Sequence, residues 1–423
     1  MNSTSASTFE FPLTAPAAAR SAMKLLLKLQ HDALTVQFPD GSMHRFGDHD
    51  ANALHATLML KNWNVFSAAM KSGDIGFAET YIAGDWSTPS LTDLIKVFIS
   101  NRAVVEDAIY GTWVGRLLFR IKHLLNRNSK TNSKRNIHAH YDLGNAFYEL
   151  WLDNTKNYSS ALFEKDVDHT SYDGMVQAQH AKVRRALKMV DLKAGDRVLE
   201  IGCGWGALAE KATTEFKANV VGVTLSTEQL AYARERMQKL GITLGDTHGV
   251  IETSDLRLQD YRDIGVTTKD EPFDAIVSIE MIEAVGQAYW PEYFKTIHRL
   301  LKPNGKVCIQ SIVIDDALFD RYVSSTDFIQ QYIFPGGCLP CPREFKRQAN
   351  LVGFKVVDEF AFGMDYAYTL KLWRDKFLAE KKQVLALGFD ERFVRIWEFY
   401  LAYCEAAFTK KNTDVVQFTL QKI

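Results

Sequence analysis

The sequence predicts an α/β protein that combines a large domain built on a mostly parallel sheet with a smaller N-terminal α+β domain. The main observation is a pattern from about residue 138 onward, where short apolar segments alternate with helical ones, as in parallel sheets covered on both faces. A glycine-rich turn follows the first of these apolar segments, in VLEIGCGWG. The chain of 423 residues is also long enough for two or three domains.

The N-terminal part of the chain has a different pattern, from which we predict three segments. Residues 1–20 are rich in Ser, Thr and Ala and predict a flexible leader rather than a signal peptide. Residues 21–125 predict the smaller domain, whose segment ALTVQFPDGSMHRFG is typical of a β-hairpin around Pro-Asp-Gly. The polar and basic residues 126–137 predict a linker to the large domain at 138–423.

A basic stretch crosses the boundary between the smaller domain and the linker. Residues 116–135 contain several Lys and Arg and no Asp or Glu, and apolar side chains accompany them at Trp113, Leu117, Leu118 and Phe119. On an anionic membrane, each basic residue would contribute on the order of 1 kcal/mol, and the apolar groups would insert at the interface. The alternative is an ordinary solvated helix end followed by a linker, and the sequence favours neither interpretation.

The amino-acid composition limits the kinds of partner and the cellular compartment that can be expected for this protein. The formal net charge of -1 identifies no partner, so any contact with nucleic acid or membrane must come from a local patch, and we expect no nucleic-acid partner. No apolar run approaches the ~20 residues that span a bilayer, so we expect no transmembrane segment. Five scattered cysteines indicate reduced thiols and a cytoplasmic protein, and the CxxC pair Cys338 and Cys341 is expected to be structural. His138 and His140 lack further ligands nearby, so we expect no metal.

The elements of the large domain follow in order along the chain. DRVLEIGCG predicts a strand and a glycine turn, ALAEKATTEF a helix, and ANVVGVTL a second strand. STEQLAYARERMQKLG predicts a helix with Ser226 as N-cap and Gly241 as C-cap. FDAIVSIE predicts another strand, PEYFKTIHRLLKPNG a helix closed by Pro-Asn-Gly, and KVCIQSIVI a further strand.

Polar residues and glycines at the ends of these strands predict a nucleotide-like cofactor site. Gly202 and Gly204 permit a tight turn and a close approach of ligand to backbone, a feature shared by nicotinamide, flavin and S-adenosylmethionine (SAM) sites. Glu200 just before the turn favours the methyltransferase version. Further along, the sequence offers uncharged groups for ribose hydroxyls and polar groups for an adenine: Thr224 and Gln229, then Gln259 and Asp260.

Two carboxylates, Glu280 and Glu283, lie in SIEMIEAVG at the expected end of a strand. A carboxylate in apolar surroundings is costly unless it is paired, hydrogen-bonded or protonated. The residues alone treat the two glutamates alike, and Glu283 becomes our candidate for chemistry only through a family resemblance. Glu280 is left without a role, as a residue that turns toward the cofactor or caps the following turn.

Ten motifs in sequence order resemble the cyclopropane-fatty-acyl-phospholipid synthases and the related mycolic-acid methyltransferases. The match runs from about His138 to Phe408, and the motifs that carry it are HYDLGNAFYELWLD, YSSALF, QAQHAK, VLEIGCGWGALA, VVGVTLSTEQ, QDYRD, EMIEAVG, LKPNGK, YIFPGGCLP and FGMDYAYTLKLWRDKF. The resemblance implies a Rossmann-like SAM-dependent methyltransferase domain. It also implies a SAM site formed by Tyr158, Ser159, Gly202, Gly204, Thr224, Gln229 and Gln259, to which we add Glu200, Cys203 and Asp260.

The resemblance further implies an active site with Glu283 and Tyr366, in which members of the family hold a bicarbonate ion. Ser160 and Gln310 stand where these enzymes have a cysteine and a histidine, and Ile312 keeps a backbone position of that site. Neither Ser nor Gln supplies a thiol or a titratable imidazole. Both can still hydrogen-bond an anion, so bicarbonate is a candidate second ligand beside SAM.

The implied reaction transfers a methyl group from SAM to a cis alkene of a phospholipid acyl chain. The resulting carbocation loses a proton to form a cyclopropane, and Tyr158 and Tyr366 are the aromatic residues expected to face it. Three alternatives remain open: a methyl-branched or methylene product, a small soluble acceptor, and a non-catalytic lipid-binding protein. The resemblance also implies a lipid-associated N-terminal domain, a cytoplasmic location at the inner face of the membrane, and a homodimer.

Overall fold

The computed structural model describes residues 10–48, 50–105, 143–245, 253–266 and 270–423. The chain divides into two compact units. The first contains the N-terminal 119 residues together with Arg395–Phe399, and the second contains the remainder. The predicted linker 126–137, the basic stretch 116–135 and the His138–His140 pair lie outside the described residues, as do the first nine residues of the predicted leader.

The first unit contains a four-stranded sheet in the order β2-β1-β3-β4. Its strands are β1 (Ala33–Gln37), β2 (Met43–Gly47), β3 (His55–Leu60) and β4 (Trp86–Ser87). β1 pairs antiparallel with β2, which confirms the predicted hairpin, and parallel with β3. The helices of this unit are Ala17–Leu26, Asn64–Ala83 and Leu91–Ser100.

The second unit is built on an eight-stranded sheet in the order β11-β12-β10-β9-β5-β6-β8-β7. The strands are β5 (Arg197–Ile201), β6 (Asn219–Thr224), β7 (Thr243–Leu244), β8 (Thr253–Leu258), β9 (Phe273–Ile279), β10 (Leu301–Ile314), β11 (Phe354–Ala361) and β12 (Thr413–Lys422). The six strands from β10 to β7 in that order run parallel, and β12 is antiparallel to both of its neighbours. The predicted mostly parallel sheet is confirmed.

Helices cover both faces of this sheet, as the two buried clusters at its strands require. Their bounds are Asn145–Glu149, Tyr172–Met189, Ala207–Thr214, Thr227–Lys239, Trp290–Leu300, Asp316–Tyr322, Phe328–Tyr332, Pro342–Leu351, Gly363–Ala379, Lys381–Ala386 and Glu391–Thr409. Along β5, Leu199 and Ile201 join one core cluster while Val198 joins the other. Because side chains alternate along a strand, burial on both faces explains the continuous apolar runs in the sequence. No described helix is long and apolar enough to cross a membrane.

Two predicted helix ends differ from the structure. The helix Thr227–Lys239 begins after Ser226, whose side chain accepts from the backbone of Gln229 as predicted, but its C-cap is Leu240. Gly241 follows that cap with φ +71°, the left-handed conformation that glycine adopts without cost.

The Pro-Asn-Gly segment does not close a helix. The helix Trp290–Leu300 ends before it, and Leu301 already pairs with Phe273 as part of β10. The ladder resumes only at Lys306, so residues 302–305 form an irregularity inside the strand. Proline lacks a backbone N–H and Asn304 has φ +61°, which explains why the ladder is interrupted there.

Candidate functional site

A pocket opens at the carboxyl ends of four neighbouring parallel strands. It is lined by residues 202–205 after β5, Thr224 and Leu225 at the end of β6, residues 259–262 after β8, and Glu280 and Met281 after β9. The ends of parallel strands meet at one edge of the sheet, which is where open α/β sheets bind their ligands. The fold therefore builds the site from loops that are distant in sequence.

The glycine turn shapes the floor of this pocket. Gly202, Gly204 and Gly206 all have positive φ values, of +86°, +50° and +83°. A Cβ atom at Gly206 would lie 3.1 Å from the Cβ of Ala233, so this glycine is needed for packing. A Cβ atom at Gly204 would meet no protein atom within 4 Å, because it would enter the pocket. Gly204 therefore leaves space for a ligand rather than for the protein.

All ten residues predicted for the cofactor line this one pocket. They are Tyr158, Ser159, Glu200, Gly202, Cys203, Gly204, Thr224, Gln229, Gln259 and Asp260. The Thr224 hydroxyl lies 3.2 Å from Gln229 Oε1, so the two side chains hold each other at the rim of β6. The Asp260 carboxylate accepts two hydrogen bonds from the Arg262 guanidinium, at 2.8 and 2.5 Å. Asp260 thus faces the pocket with its charge already paired.

Glu200 is a buried carboxyl in the pocket wall, 4% exposed. Its Oε2 has no hydrogen-bond partner within the described ranges, and burial raises the pKa of this carboxyl well above its usual value. A buried polar atom without a partner is costly in the folded state. A donor from a bound ligand would remove that cost.

Lys182 is a buried cation next to this pocket. It lies on the helix Tyr172–Met189, is fully buried, and donates from Nζ to Ser159 Oγ at 2.6 Å. Burial lowers its pKa to about 8, and the charges of three carboxylates act in the opposite direction: Glu280, Asp153 and Glu200. Because a buried ammonium needs opposite charge nearby, this lysine and the carboxylates stabilise one another.

The Glu280 carboxylate is the centre of the hydrogen-bond network beside the pocket. Its Oε1 accepts from the backbone N–H of Ser160 at 2.9 Å and from Gln310 Nε2 at 2.7 Å. Its Oε2 accepts from the Tyr366 hydroxyl at 2.6 Å. Three of the five predicted catalytic residues therefore bind Glu280, which sequence reasoning had left without a role. The Ser160 hydroxyl itself donates to the carbonyl of Ala161.

A second layer of hydrogen bonds fixes the orientation of Gln310. Its Oε1 accepts from Gln417 Nε2 at 3.0 Å, so its own amide nitrogen must point to Glu280. Gln417 in turn accepts at Oε1 from the Arg185 guanidinium at 2.8 Å. Gln310 and Gln417 are fully buried in the adjacent strands β10 and β12. This chain holds a donor toward Glu280 where the sequence resemblance implies a histidine.

Glu283 lies in the same cluster but has different partners. It is on the 3-10 turn Ile282–Ala284, and its Oε1 accepts from the backbone N–H of Ile312. Its Oε2 is buried without a hydrogen-bond partner in the described part of the chain. Burial, and secondarily the charge of Glu280, raise the pKa of Glu283 to about 8. Glu283 thus accepts from Ile312, while Tyr366 donates to the other carboxylate, Glu280.

Aromatic rings form a wall near these carboxylates. Tyr158 lines the pocket, packs on Trp373 at a ring distance of 5.4 Å, and bonds through its hydroxyl to the Tyr400 hydroxyl at 2.8 Å. Tyr366 packs edge-on against Trp373 at 6.2 Å. The two predicted aromatic residues therefore share Trp373 as a neighbour, and the surroundings of these carboxylates are rich in aromatic rings.

Two residues of the site were not singled out from the sequence. Lys182 ends the motif QAQHAK, but nothing in a helical pattern marks a lysine as buried. Glu280 was seen and set aside in favour of Glu283. The sequence signal that could have identified Glu280 is a carboxylate among apolar residues at the end of a strand. This signal applies equally to Glu280 and Glu283, so it could not separate them.

Comparisons with known proteins identify relatives of this chain. A family model described as mycolic acid cyclopropane synthetase matches residues 128–418. The chain is 34% identical over 415 residues to the tuberculostearic acid methyltransferase UfaA1 of Mycobacterium tuberculosis, covering 97% of this chain and 92% of the relative. It is 34% identical over 369 residues to the cyclopropane-fatty-acyl-phospholipid synthase of Escherichia coli, covering 87% and 88%. The solved structure of mycolic acid cyclopropane synthase CmaA1, complexed with SAH and CTAB, matches at a TM-score of 0.59 with 32% identity, covering 68% of this chain and 98% of that one.

Proposed function

The chain belongs to the mycolic acid cyclopropane synthetase family, and from this premise we propose that it transfers a methylene group from SAM to the cis double bond of unsaturated phospholipid acyl chains, forming a cyclopropane. The observation that carries the proposal is the pocket at the strand ends, which joins a glycine turn to a cluster of buried carboxylates. A cofactor site beside a site for removing a proton is what this two-step reaction needs.

SAM fits the pocket on three grounds. Gly204 leaves open space where any side chain would enter, and Glu200 holds an unpartnered acceptor for a ligand donor. Thr224 and Gln229 offer uncharged groups suited to ribose hydroxyls. When bound, SAM supplies an electrophilic methyl group to the nucleophilic alkene. We propose that the ten pocket residues named above hold it.

The protein's own residues must then manage the cation on the acyl chain. We propose that the aromatic rings of Tyr158 and Tyr366 stabilise this cation, each by roughly 0.5–2 kcal/mol. We propose that the proton is removed at the Glu280–Glu283 pair, with Glu283 assisting. If the proton leaves the transferred methyl, the ring closes, and if it leaves a neighbouring carbon, an alkene remains.

Bicarbonate does not fit this site. Its expected partners include Ser160, Gln310 and Tyr366, and all three already donate to the carboxylate of Glu280. The backbone of Ile312 donates to Glu283. A bicarbonate ion would have to displace the carboxylate of Glu280, which is attached to the chain, from these donors. It would also lie next to two carboxylates, those of Glu280 and Glu283. We therefore route no step through bicarbonate.

A second candidate is methyl transfer without ring closure. The similarity to a tuberculostearic acid methyltransferase covers 97% of this chain, more than the similarity to the synthase of Escherichia coli. The direct product of this route is a methylene or shifted alkene, and a saturated methyl branch needs a separate hydride donor. A small soluble acceptor is a weaker candidate. A non-catalytic lipid-binding protein does not account for the open space at Gly204.

We also propose the cellular setting that the lipid substrate requires. The protein would act from the cytoplasm at the inner face of the membrane, with residues 21–125 as a lipid-associated domain, 126–137 as a linker and 138–423 as the catalytic domain. A homodimer belongs to the same proposal.

Mass spectrometry of phospholipids from a bacterial host expressing this chain tests the function. We expect unsaturated acyl chains to gain one CH₂ unit and to resist hydrogenation, as a ring does. The same gain in chains that still take up hydrogen indicates methylation without closure and supports the second candidate. No lipid change, together with SAM consumption on a soluble acceptor by the purified protein, would overturn the lipid assignment.

A further inference from the structure

The helix Ala17–Leu26 of the first unit carries an exposed row of basic side chains. Arg20 and Lys24 lie one turn apart on it, and Lys28 follows shortly after the helix ends. All three side chains are exposed, and none of them forms an ion pair with another described residue. Residues 11–31 contain no Asp or Glu, so this segment of the chain has an unbalanced positive charge.

The fold fixes the direction in which this row points. Ala19, Met23 and Leu26 lie on another side of the helix and are buried, and the helix packs against the helix Asn64–Ala83. Apolar side chains at spacings of three and four residues form one side of a helix, so the basic side chains must face away from the core.

The stability of the helix does not account for these cations. Like charges four residues apart weaken a helix, and this helix has neither an acidic residue in its first turn nor a side-chain cap. Exposed lysines on helices of the second unit instead pair with an acid four residues away, as Lys239 does with Glu235 at 2.7 Å and Lys371 with Asp375 at 2.5 Å. The cations at positions 20, 24 and 28 are therefore left available for a negatively charged partner.

Two leucines in the same segment are exposed as well. Leu13 is 101% exposed in a turn that is closed by a hydrogen bond from the Ala15 N–H to the Pro12 carbonyl at 2.9 Å. Leu27 is 48% exposed at the C-cap of the helix, two turns after Arg20 and therefore on the same side of it. Burying an exposed leucine is favourable, so a partner for this surface should offer apolar as well as negatively charged groups.

An anionic phospholipid membrane offers both kinds of group. Its phosphates attract Lys and Arg, and its acyl region accepts apolar side chains that insert at the interface. A second copy of the same surface would instead place cations against cations, and a nucleic acid would leave the leucines exposed to water. Charge and apolar character together therefore favour a membrane over these other partners.

We infer that the surface formed by Arg20, Lys24, Lys28, Leu13 and Leu27, here called the basic face, binds an anionic phospholipid membrane. The basic groups contact lipid phosphates, and the leucines insert between the head groups. This binding brings the first unit to the lipid on which the enzyme acts, and in that respect the inference rests on the proposed function. The contacts themselves need only negative charge and an apolar layer, not a double bond.

Cosedimentation of the full chain with vesicles of dimyristoyl phosphatidylglycerol tests the inference, because these lipids have no double bond and are not substrates. The triple variant Arg20→Gln, Lys24→Gln and Lys28→Gln should lose at least ~10-fold in vesicle affinity at about 0.1 M salt, and the loss should shrink as added salt screens the attraction. A control triple variant removes the same charge from exposed positions of the same unit and should lose less than ~3-fold. Its changes are Arg45→Gln, Lys61→Gln and Lys71→Gln.

The leucines give a second measurement, which salt should not weaken. Leu13→Ser together with Leu27→Ser should lower vesicle affinity at least ~10-fold at both low and high salt, because salt does not screen the insertion of apolar groups. Leu240→Ser is a matched control, since Leu240 is also a helix C-cap and is 47% exposed. It lies in the second unit and should bind vesicles as the wild type does.

A fluorophore that responds to polarity locates the contact directly. The five native cysteines are buried or half-buried, so the label should react with an introduced cysteine. Its emission should shift to shorter wavelength on vesicles when it is attached to Leu13→Cys, and should not shift when it is attached to Leu240→Cys.

Equal vesicle affinities for the two triple variants would overturn the inference, as would a wild type that does not bind these vesicles or a label at Leu13→Cys that stays in water. Self-association or duplex RNA binding that the basic-face variant abolishes, with vesicle binding intact, would assign the surface to another partner and also overturn it. A wild type that binds vesicles through the basic face but modifies no unsaturated phospholipid would instead count against the proposed function.

Discussion

At the scale of single residues, Glu283 links the chemistry of the site to the stability of the fold. Its pKa of about 8 in the folded protein is well above that of an exposed glutamate. Between pH 5 and 8 the folded state therefore binds a proton that the unfolded state releases. The sign follows directly: the contribution of Glu283 to stability falls as the pH rises through this window, by up to about 1.4 kcal/mol per pH unit.

Glu283→Gln should remove this dependence, because glutamine resembles the protonated acid and does not ionise. We expect chemical denaturation at pH 5.5, 7 and 8.5 to show a flatter pH profile for the variant and a higher free energy of unfolding than the wild type at pH 8.5. Glu271→Gln, at an exposed position, serves as the control and should retain the wild-type slope. Equal slopes for Glu283→Gln and the wild type would show that Glu283 is not protonated in the fold.

Gly204 gives a second prediction at this scale. Gly204→Ala adds a methyl group that meets no protein atom but enters the pocket, so ligand binding should suffer more than folding. We expect SAM affinity to fall at least ~10-fold by calorimetry, while the melting temperature changes by only the few degrees that about 1 kcal/mol of strain produces. Gly195→Ala is a matched control, since Gly195 also has positive φ and open space but lies outside the pocket. Gly195→Ala should lose stability but keep its affinity for SAM. Similar SAM affinity for the two variants would contradict the assignment of Gly204 to the cofactor site.

Glu280 illustrates where residue-level prediction from one sequence ends. The pattern SIEMIEAVG located the carboxylates at the end of a strand, and the structure confirms that strand as β9. Which carboxylate faces the pocket depends on the left-handed turn at Glu280, and that conformation is unexpected for glutamate. Tertiary contacts from Ser160 and Tyr366, more than 80 residues away on either side, stabilise it.

At the scale of elements, the helix Tyr172–Met189 supplies the site with positive charge. Lys182→Met should leave ionised carboxylates without a cation at pH 7, where the lysine is charged because its pKa is about 8. Burial raises the pKa of Asp153 to about 6 and also raises the pKa of Glu280. These carboxyls carry less negative charge at pH 5, so the variant should lose less stability there. We expect the free energy of unfolding to fall by about 3 kcal/mol at pH 7 and by less at pH 5.

Denaturation at the two pH values measures this difference. Lys188→Met, an exposed position on the last turn of the same helix, should change stability little at either pH. An equal loss at pH 5 and pH 7 for Lys182→Met would indicate that only packing was removed.

The strands β5, β6 and β9 and the helices Ala207–Thr214 and Thr227–Lys239 were predictable because each has a clear apolar pattern and a clear turn. The N-cap at Ser226 follows from local hydrogen bonding, and the strand β6 before it follows from apolar patterning. The Pro-Asn-Gly segment was misassigned because it is equally compatible with a helix end and with a break inside a strand. The pairing of Leu301 with Phe273 decides the matter, and such a long-range contact has no local signature.

At the scale of the whole molecule, the family match and the site together define a lipid-modifying methyltransferase whose pocket, in the described part of the chain, is lined by residues of one unit. Every residue lining the pocket belongs to the second unit. The similarity to relatives nevertheless continues through the N-terminal region, over 97% of the chain in one case. We therefore look to that region and to the basic stretch 116–135 for delivery of a substrate that is part of a membrane.

Vesicle binding tests this division of labour. Reversing three charges in the basic stretch, with Lys130, Lys134 and Arg135 changed to Glu, should lower sedimentation with phosphatidylglycerol vesicles at least ~10-fold, because each basic residue contributes on the order of 1 kcal/mol at an anionic surface. The wild-type affinity should also fall as salt screens the attraction. SAM affinity should not change, since the residues that we propose for the cofactor all lie between Tyr158 and Asp260 in the sequence. Lys165, Lys193 and Lys382, all exposed, provide a control with the same net charge. If both triple variants bind vesicles equally well, the basic stretch is an ordinary linker and membrane contact must come from another part of the chain.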